Sequence, residues 1–196
     1  MPRIFTNEVS FPYPWVETAL GVLHKYPNPC ADHVVSVDTI DQQFDEASGK
    51  LRLERVLGVR QGAPRWVVKL LSLAEDTYVR EVMVIDPAES KVEMTSTNMT
   101  LSEYLLAKEY ITYTPSPSSS PSGAESRSTV FKQTAKITCE LTSKSNSSIM
   151  AKAGKKLEDT SFDRYGSNAG KGKEGLMMVL RNLWGEAVAA EQKGKL

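Results

Sequence analysis

From His33 to Leu141 the chain repeats one arrangement: segments of about ten residues in which Val, Ile, Leu, Thr and Tyr recur at alternate positions, separated by short turn sequences rich in Gly, Pro, Asp and Ser. A period of two puts one apolar and one polar face on each segment, and short turns join neighbours that run in opposite directions. "HVVSVDTIDQQFD" and "KLRLERVLGVR" are linked by "EASG", where glycine accepts the positive backbone angle of a hairpin. "TYVREVMVID", "KVEMTSTNMT", "LLAKEYITYTP" and "STVFKQTAKITCEL" continue the pattern, with "DPAES" as a turn, and "RIFTNEVSF" precedes it. The pattern predicts an antiparallel meander of about seven strands. Within it, Leu51, Leu53, Leu57 and Val59 share a face into which Arg55 intrudes. Residues 115–126, "PSPSSSPSGAES", are low in complexity and predict a loop.

Two stretches break the strand period. After Pro14, the residues Trp15, Ala19, Val22, Leu23 and Tyr26 recur at helical spacing, and Pro27 and Pro29 end that helix because the residue before a proline is pushed out of the helical region. Beyond Glu140 a long helix is expected up to the mid-180s. On it Ile149, Ala153 and Leu157 share a stripe with Arg164, Asn168 and Lys171, while Tyr165, Ala169, Leu176, Leu180 and Leu183 form a second stripe suited to packing on the sheet. The first stripe either lines a cavity that is greasy at one end and cationic at the other, or is an ordinary solvated face. Gly166, Gly170, Gly172 and Gly175 weaken the helix by about 1 kcal/mol each relative to alanine.

Composition narrows the function classes. With 196 residues and 40% hydrophobic content, the chain can bury one real core. No apolar run approaches the roughly 18 residues of a membrane span, and "MPRIFTNEVSFPYPW" has neither a signal peptide's apolar block nor a transit peptide's arginine-rich character, so a soluble protein is expected. Cys30 and Cys139 rule out a disulfide framework and are expected as free thiols. The formal charge of zero divides into 12 basic and 17 acidic groups over residues 1–131, and 12 basic and 7 acidic over 132–196. The C-terminal part either presents a basic face that can meet an anion or carries ordinary solvated lysines on a helix, the commoner arrangement.

Catalytic and metal-binding readings are weak. Cys30 and His33 lie three apart after a turn, without an orienting acid, which is a poor nucleophile and base pair. His24, Cys30, His33 and Cys139 lack any paired zinc spacing. "GKGKEG" does not follow a strand and makes no phosphate loop, and neutral net charge disfavours nucleic acid. We expect no catalytic set, no metal and no cofactor. In "VRQGAPRWVVKLL", Gln61-Gly62 offers a hinge, Pro64 suits a first helical turn, and Trp66, Val67, Leu70 and Leu71 give an apolar side flanked by Arg65 and Lys69. This segment is either a lid that touches a membrane interface or a core-packed crossover helix.

"KYPNPCADHVVSVDTI", "LERVLGVRQGAPRW", "VREVMVIDPAESKVEMTSTNMTL" with "EYITYTP", and "NAGKGKEGL" together resemble the PRELI-like domain family (PRELI/MSF) of intramitochondrial phospholipid transfer proteins, with "REVMVIDP", "STNMT" and "RQGAPRW" closer to its slowmo branch. The resemblance covers about residues 1 to 185, leaving 186–196 as a tail. It implies an α+β fold, a curved seven-stranded antiparallel sheet wrapped on a long C-terminal helix, as in START-like lipid carriers. It further implies transfer of a single anionic glycerophospholipid between outer and inner mitochondrial membranes, without enzymatic activity. Phosphatidylserine is the cargo attributed to the slowmo branch and phosphatidic acid to the PRELI branch; a non-transferring lipid-binding adaptor is the rival reading. The implied location is the intermembrane space, and the implied partner is a small helical hairpin with twin Cys-x9-Cys motifs.

Carried onto this chain, the head-group residues implied are Lys25, His33, Arg55, Arg164, Asn168 and Lys171, with Arg60 standing where relatives carry a lysine before the lid. The lid and membrane contact falls on Gly62, Pro64, Trp66, Val67 and Leu70, and the acyl-chain lining on Ile149, Ala153 and Leu157. Where relatives carry a tryptophan after Glu-Asp, this chain has Thr160. The prolines at 27 and 29 then make physical sense: a stiff corner holds Lys25 and His33 in place, and a preorganised cation loses less freedom on binding a phosphate.

Overall fold

The computed structural model describes residues 2–60, 76–117, 126–139 and 148–186. Strand β1 (Arg3–Phe11) leads into helix α1 (Trp15–Leu23) and a 3₁₀ turn (Pro29–Ala31). Six further strands follow: β2 (Val34–Asp45), β3 (Lys50–Arg60), β4 (Asp76–Asp86), β5 (Lys91–Asn98), β6 (Leu105–Pro115) and β7 (Thr129–Cys139). A 37-residue helix α2 (Ser148–Trp184) comes last and is about 55 Å long. The strands form one antiparallel sheet in the order β1-β7-β6-β5-β4-β3-β2, so consecutive strands pair from β2 to β7 and β1 closes on β7.

The β2–β3 turn shows the local chemistry that sets register. Asp45 accepts from Ala47 N at 3.0 Å and from Ser48 Oγ at 2.6 Å, and Gly49 takes φ +68° where a side chain would be strained. The registers from β3 to β6 place Leu53, Leu57, Met83, Ile85, Val92, Met94, Ile111 and Tyr113 on the concave face, where all are buried.

Helix α1 stops at Leu23, earlier than the predicted Tyr26. The reason lies in the corner. The Lys25 carbonyl accepts from the Asn28 side chain, and Asn28 Oδ1 in turn accepts from Cys30 N at 2.9 Å, so the backbone turns away before Pro27 is reached.

Helix α2 crosses the concave face and is held at two places. Toward its end, Leu176 and Leu180 join α1 and the lower sheet in one apolar cluster with Trp15, Val22, Met83 and Tyr113. Gly21 allows this crossing, since a Cβ there would lie 2.5 Å from Leu180 Cδ2. Nearer its start, Leu157 joins Leu105 and Ile137 in a second cluster flanked by Phe162 and Tyr165. Arg3 adds an ion pair to Asp159 and stacks over Phe162 with 4.4 Å to the ring centroid. The helix is continuous through Gly166, Gly170 and Gly172, because packing at both ends outweighs their intrinsic cost. The packed stripe was expected to include Leu183; it is exposed instead, and the α2 members of the apolar cluster end at Leu180.

Candidate functional site

Between the two apolar clusters the helix and the sheet part, leaving a cavity of about 630 Å³. Leu57, Met94, Ile111, Tyr113 and Phe131 give it apolar walls. Leu157, Arg164, Asn168 and Lys171 come from α2, at separations of seven, four and three positions that keep them on one side of a helix. The third wall is the corner between α1 and β2, which supplies Lys25, Tyr26, Asn28 and His33. Gly175 fits this corner against the helix: a Cβ there would meet Asn28 Oδ1 at 2.8 Å. Asn28, absent from the residues expected at the site, therefore ties the Lys25 backbone, the 3₁₀ turn and α2 together. An asparagine between two turn prolines was the available signal.

Lys25, His33, Arg60, Arg164, Asn168, Lys171 and Leu157 all line the cavity. Asn168 and Lys171 are exposed as well, which puts them at its mouth. Arg60 stands at the same rim, with its Nε 3.7 Å from Asp76. The side chains of Ile149 and Ala153, and the whole stretch containing Gly62, Pro64, Trp66, Val67 and Leu70, lie outside the described residues.

Arg55 is placed differently from the expectation. It is absent from the cavity wall, and at 6% exposure its guanidinium is held by Glu81, itself 4% exposed. Arg55 Nε donates to Glu81 Oε1 at 2.9 Å and Nη2 donates to the same oxygen. The two residues face each other directly across β3 and β4, so the arginine's partner is a carboxylate of the sheet. A buried arginine on an apolar face needs such a partner.

Electrostatics in the cavity differ from wall to wall. The Lys25 ammonium sits 5.3 Å from the centroid of the Tyr26 ring. Tyr26 foremost, then Tyr113, Glu109 and Glu81, hold its pKa above the ordinary lysine value against the opposing effect of burial, so it remains a cation at any physiological pH. His33 is shifted the other way. Burial lowers its pKa, the nearby Asp32 opposes, and Lys171 and Lys25 lower it further, so near neutrality it is an uncharged imidazole. Burial also pushes the Tyr113 hydroxyl up to about 12.

A polar row crosses the sheet at one level. Arg55 pairs with Glu81, Glu81 with Ser96, and Ser96 with Glu109 through successive strand registers. Gln133 Nε2 donates to Glu109 Oε1, and Asn7 Nδ2 to Gln133 Oε1 at 3.4 Å. Glu81, Ser96, Glu109, Gln133 and Asn7 all line the cavity. Burial raises the Glu109 carboxyl pKa, against the lowering effects of the Gln133 hydrogen bond and Lys25. Arg55 stood out in the sequence and the rest of this row did not, although Glu81 between Val79 and Met83, and Glu109 between Ala107 and Ile111, occupy the same inward alternation.

Comparison with known proteins places this geometry. A family model described as the PRELI-like family matches residues 18–186. Protein UPS2, mitochondrial, from Saccharomyces cerevisiae is 34% identical over 179 residues, covering 91% of this chain and 73% of that protein. UPS-like protein C36.10 from Schizosaccharomyces pombe is 34% identical over 181 residues, covering 92% and 90%. Among solved structures, TTHA0849 from Thermus thermophilus aligns with a TM-score of 0.55 at 12% identity, over 93% of this chain and 99% of that one. The Zhui aromatase/cyclase from Streptomyces sp. R1128 aligns with a TM-score of 0.56 at 8% identity, over 93% and 96%. These two matches establish a shared START-like architecture.

Proposed function

The chain belongs to the PRELI-like family, and on that premise we propose that it is a phospholipid carrier that moves one anionic glycerophospholipid between the outer and inner mitochondrial membranes. The observation that supports this most is the combination in a single cavity of apolar sheet residues with Lys25, Arg164 and Lys171 on the facing walls. Phosphatidylserine is our first assignment for the cargo, on the resemblance to the slowmo branch, and phosphatidic acid the second; both present a phosphate to the same cations. We read the protein as a carrier and not an enzyme; in it, Lys25 and the two α2 cations hold the phosphate, while Asn168 and the neutral His33 offer hydrogen bonds. The yeast relatives UPS2 and UPS1 are named as mitochondrial, which supports a mitochondrial site of action. We place it in the intermembrane space, with a small twin Cys-x9-Cys helical hairpin as partner.

The energetics favour head-group control. Moving acyl chains from a bilayer into an apolar cavity exchanges one apolar medium for another, so the roughly 0.8 kcal/mol per methylene that keeps chains out of water largely cancels between end states. Charge-assisted hydrogen bonds to the head group, at about 1.5–3 kcal/mol each, then rank the lipids. The test is dequenching of a labelled lipid passing from donor to acceptor vesicles. A carrier accelerates transfer in proportion to its concentration, whereas an adaptor that holds lipid permanently gives one stoichiometric uptake and then stops. The second outcome would overturn the carrier reading.

A further inference from the structure

We propose that Glu109 makes the cavity selective for anionic phospholipids whose head group also bears an ammonium, the carboxylate pairing with that ammonium while Lys25 and the α2 cations take the phosphate. The inference rests on the carrier reading and concerns the same cavity.

It follows from charge balance across the polar row. Glu81 has its counter-charge in Arg55, which donates to it through two nitrogens. Glu109 has no such ion pair among the described residues. Its hydrogen bond comes from Gln133, a neutral amide, and occupies one of the two carboxylate oxygens. The cation that acts on it is Lys25 from the corner, through space and without an ion-pair contact. Ser96 beside it on β5 and Ala135 beside it on β7 are neutral.

Before cargo enters, Lys25 and Glu109 therefore balance each other at a distance. Once a phosphate takes Lys25, that balance is lost, and a carboxylate is left facing an anion in surroundings that screen poorly. A head group that is only anionic must coexist with Glu109 or protonate it. One that carries an ammonium supplies Glu109 with a counter-charge directly, through a charge-assisted bond to the carboxylate.

The experiment uses donor vesicles containing phosphatidylserine and phosphatidic acid in equal amounts, with the full chain and its Glu109→Gln variant. Glutamine keeps the size of the side chain and a hydrogen bond to Gln133, and removes the charge. Phosphatidylserine transfer is expected to fall about tenfold, the worth of one charge-assisted hydrogen bond, while phosphatidic acid transfer holds or rises because its head group no longer meets a carboxylate. A second arm leaves the protein intact and replaces phosphatidylserine by its N-acetylated form, which should be transferred about tenfold less well by the wild-type chain. An unchanged lipid ratio in the variant, or equal transfer of the N-acetylated lipid, overturns the selectivity assignment alone. A wild-type chain that transfers neither lipid overturns the carrier reading, and the selectivity assignment with it.

Discussion

Replacing Arg55 by methionine separates a structural ion pair from a head-group contact. In the folded chain Arg55 is 6% and Glu81 4% exposed, so both charges are largely withdrawn from water. Methionine fills much of the arginine's apolar volume and leaves the Glu81 carboxylate buried without its cation. Removing one member of a buried pair costs about 3–5 kcal/mol, because the charge left behind is uncompensated. For a chain of this size each kcal/mol moves the melting midpoint by about 2–4 °C, so Arg55→Met should melt about 6–20 °C below the wild type. The double variant Arg55→Met/Glu81→Leu removes both charges and is expected to be more stable than the single one, close to the wild type. Urea titration followed by circular dichroism on all four corners of this cycle measures the coupling. A single-variant loss below about 1 kcal/mol, the range of solvated surface pairs, would refute the reasoning. A double variant no better than the single one would refute it equally.

Arg164→Glu or Lys171→Glu should keep the fold and lower vesicle-to-vesicle transfer of anionic lipid by about tenfold or more, since each loses a charge-assisted contact and gains repulsion; unchanged rates would remove these residues from the head-group site. Gly21→Ala should destabilise by about 1–3 kcal/mol through overpacking, because its Cβ would fall 2.5 Å from Leu180 Cδ2; a urea midpoint equal to that of the wild type would show that α1 and α2 can shift apart at no cost. Burial raises the Glu109 carboxyl pKa, so the folded state binds its proton more tightly than the unfolded chain does, and stability falls as pH rises from the ordinary glutamate range through the raised value. Glu109→Gln lacks that penalty. It should therefore exceed the wild type in melting temperature near about pH 7, by a margin that closes toward about pH 4; a margin that widens toward acid would contradict the burial argument.

The strands were legible because each carries its own evidence: alternation along ten or so residues, and turn residues such as Asp45 and Gly49 at either end. The α2 side of the cavity was legible for a similar reason, since Arg164, Asn168 and Lys171 share one helix and only its periodicity is needed to group them. The polar row was harder. Arg55, Glu81, Ser96 and Glu109 come from four strands, and only the register of three strand pairs brings them to one level. Arg55 read alone looked like a binding cation; its partner lies 26 positions away, where local pattern is silent. The early end of α1 was missed because it depends on the Asn28 side chain reaching back to the Lys25 carbonyl. Four glycines in α2 argued against a helix that tertiary packing at both ends nonetheless sustains.

The way α2 is fixed bears on the carrier proposed above, which would have to travel unloaded. Its two apolar anchorages, one around Leu157 and one around Leu176 and Leu180, bear on the sheet like the piers of a bridge, and the hollow lies under the span between them. Neither pier is built from cargo. A carrier so built would discharge its contents at one membrane and make the homeward leg empty without its frame folding inward.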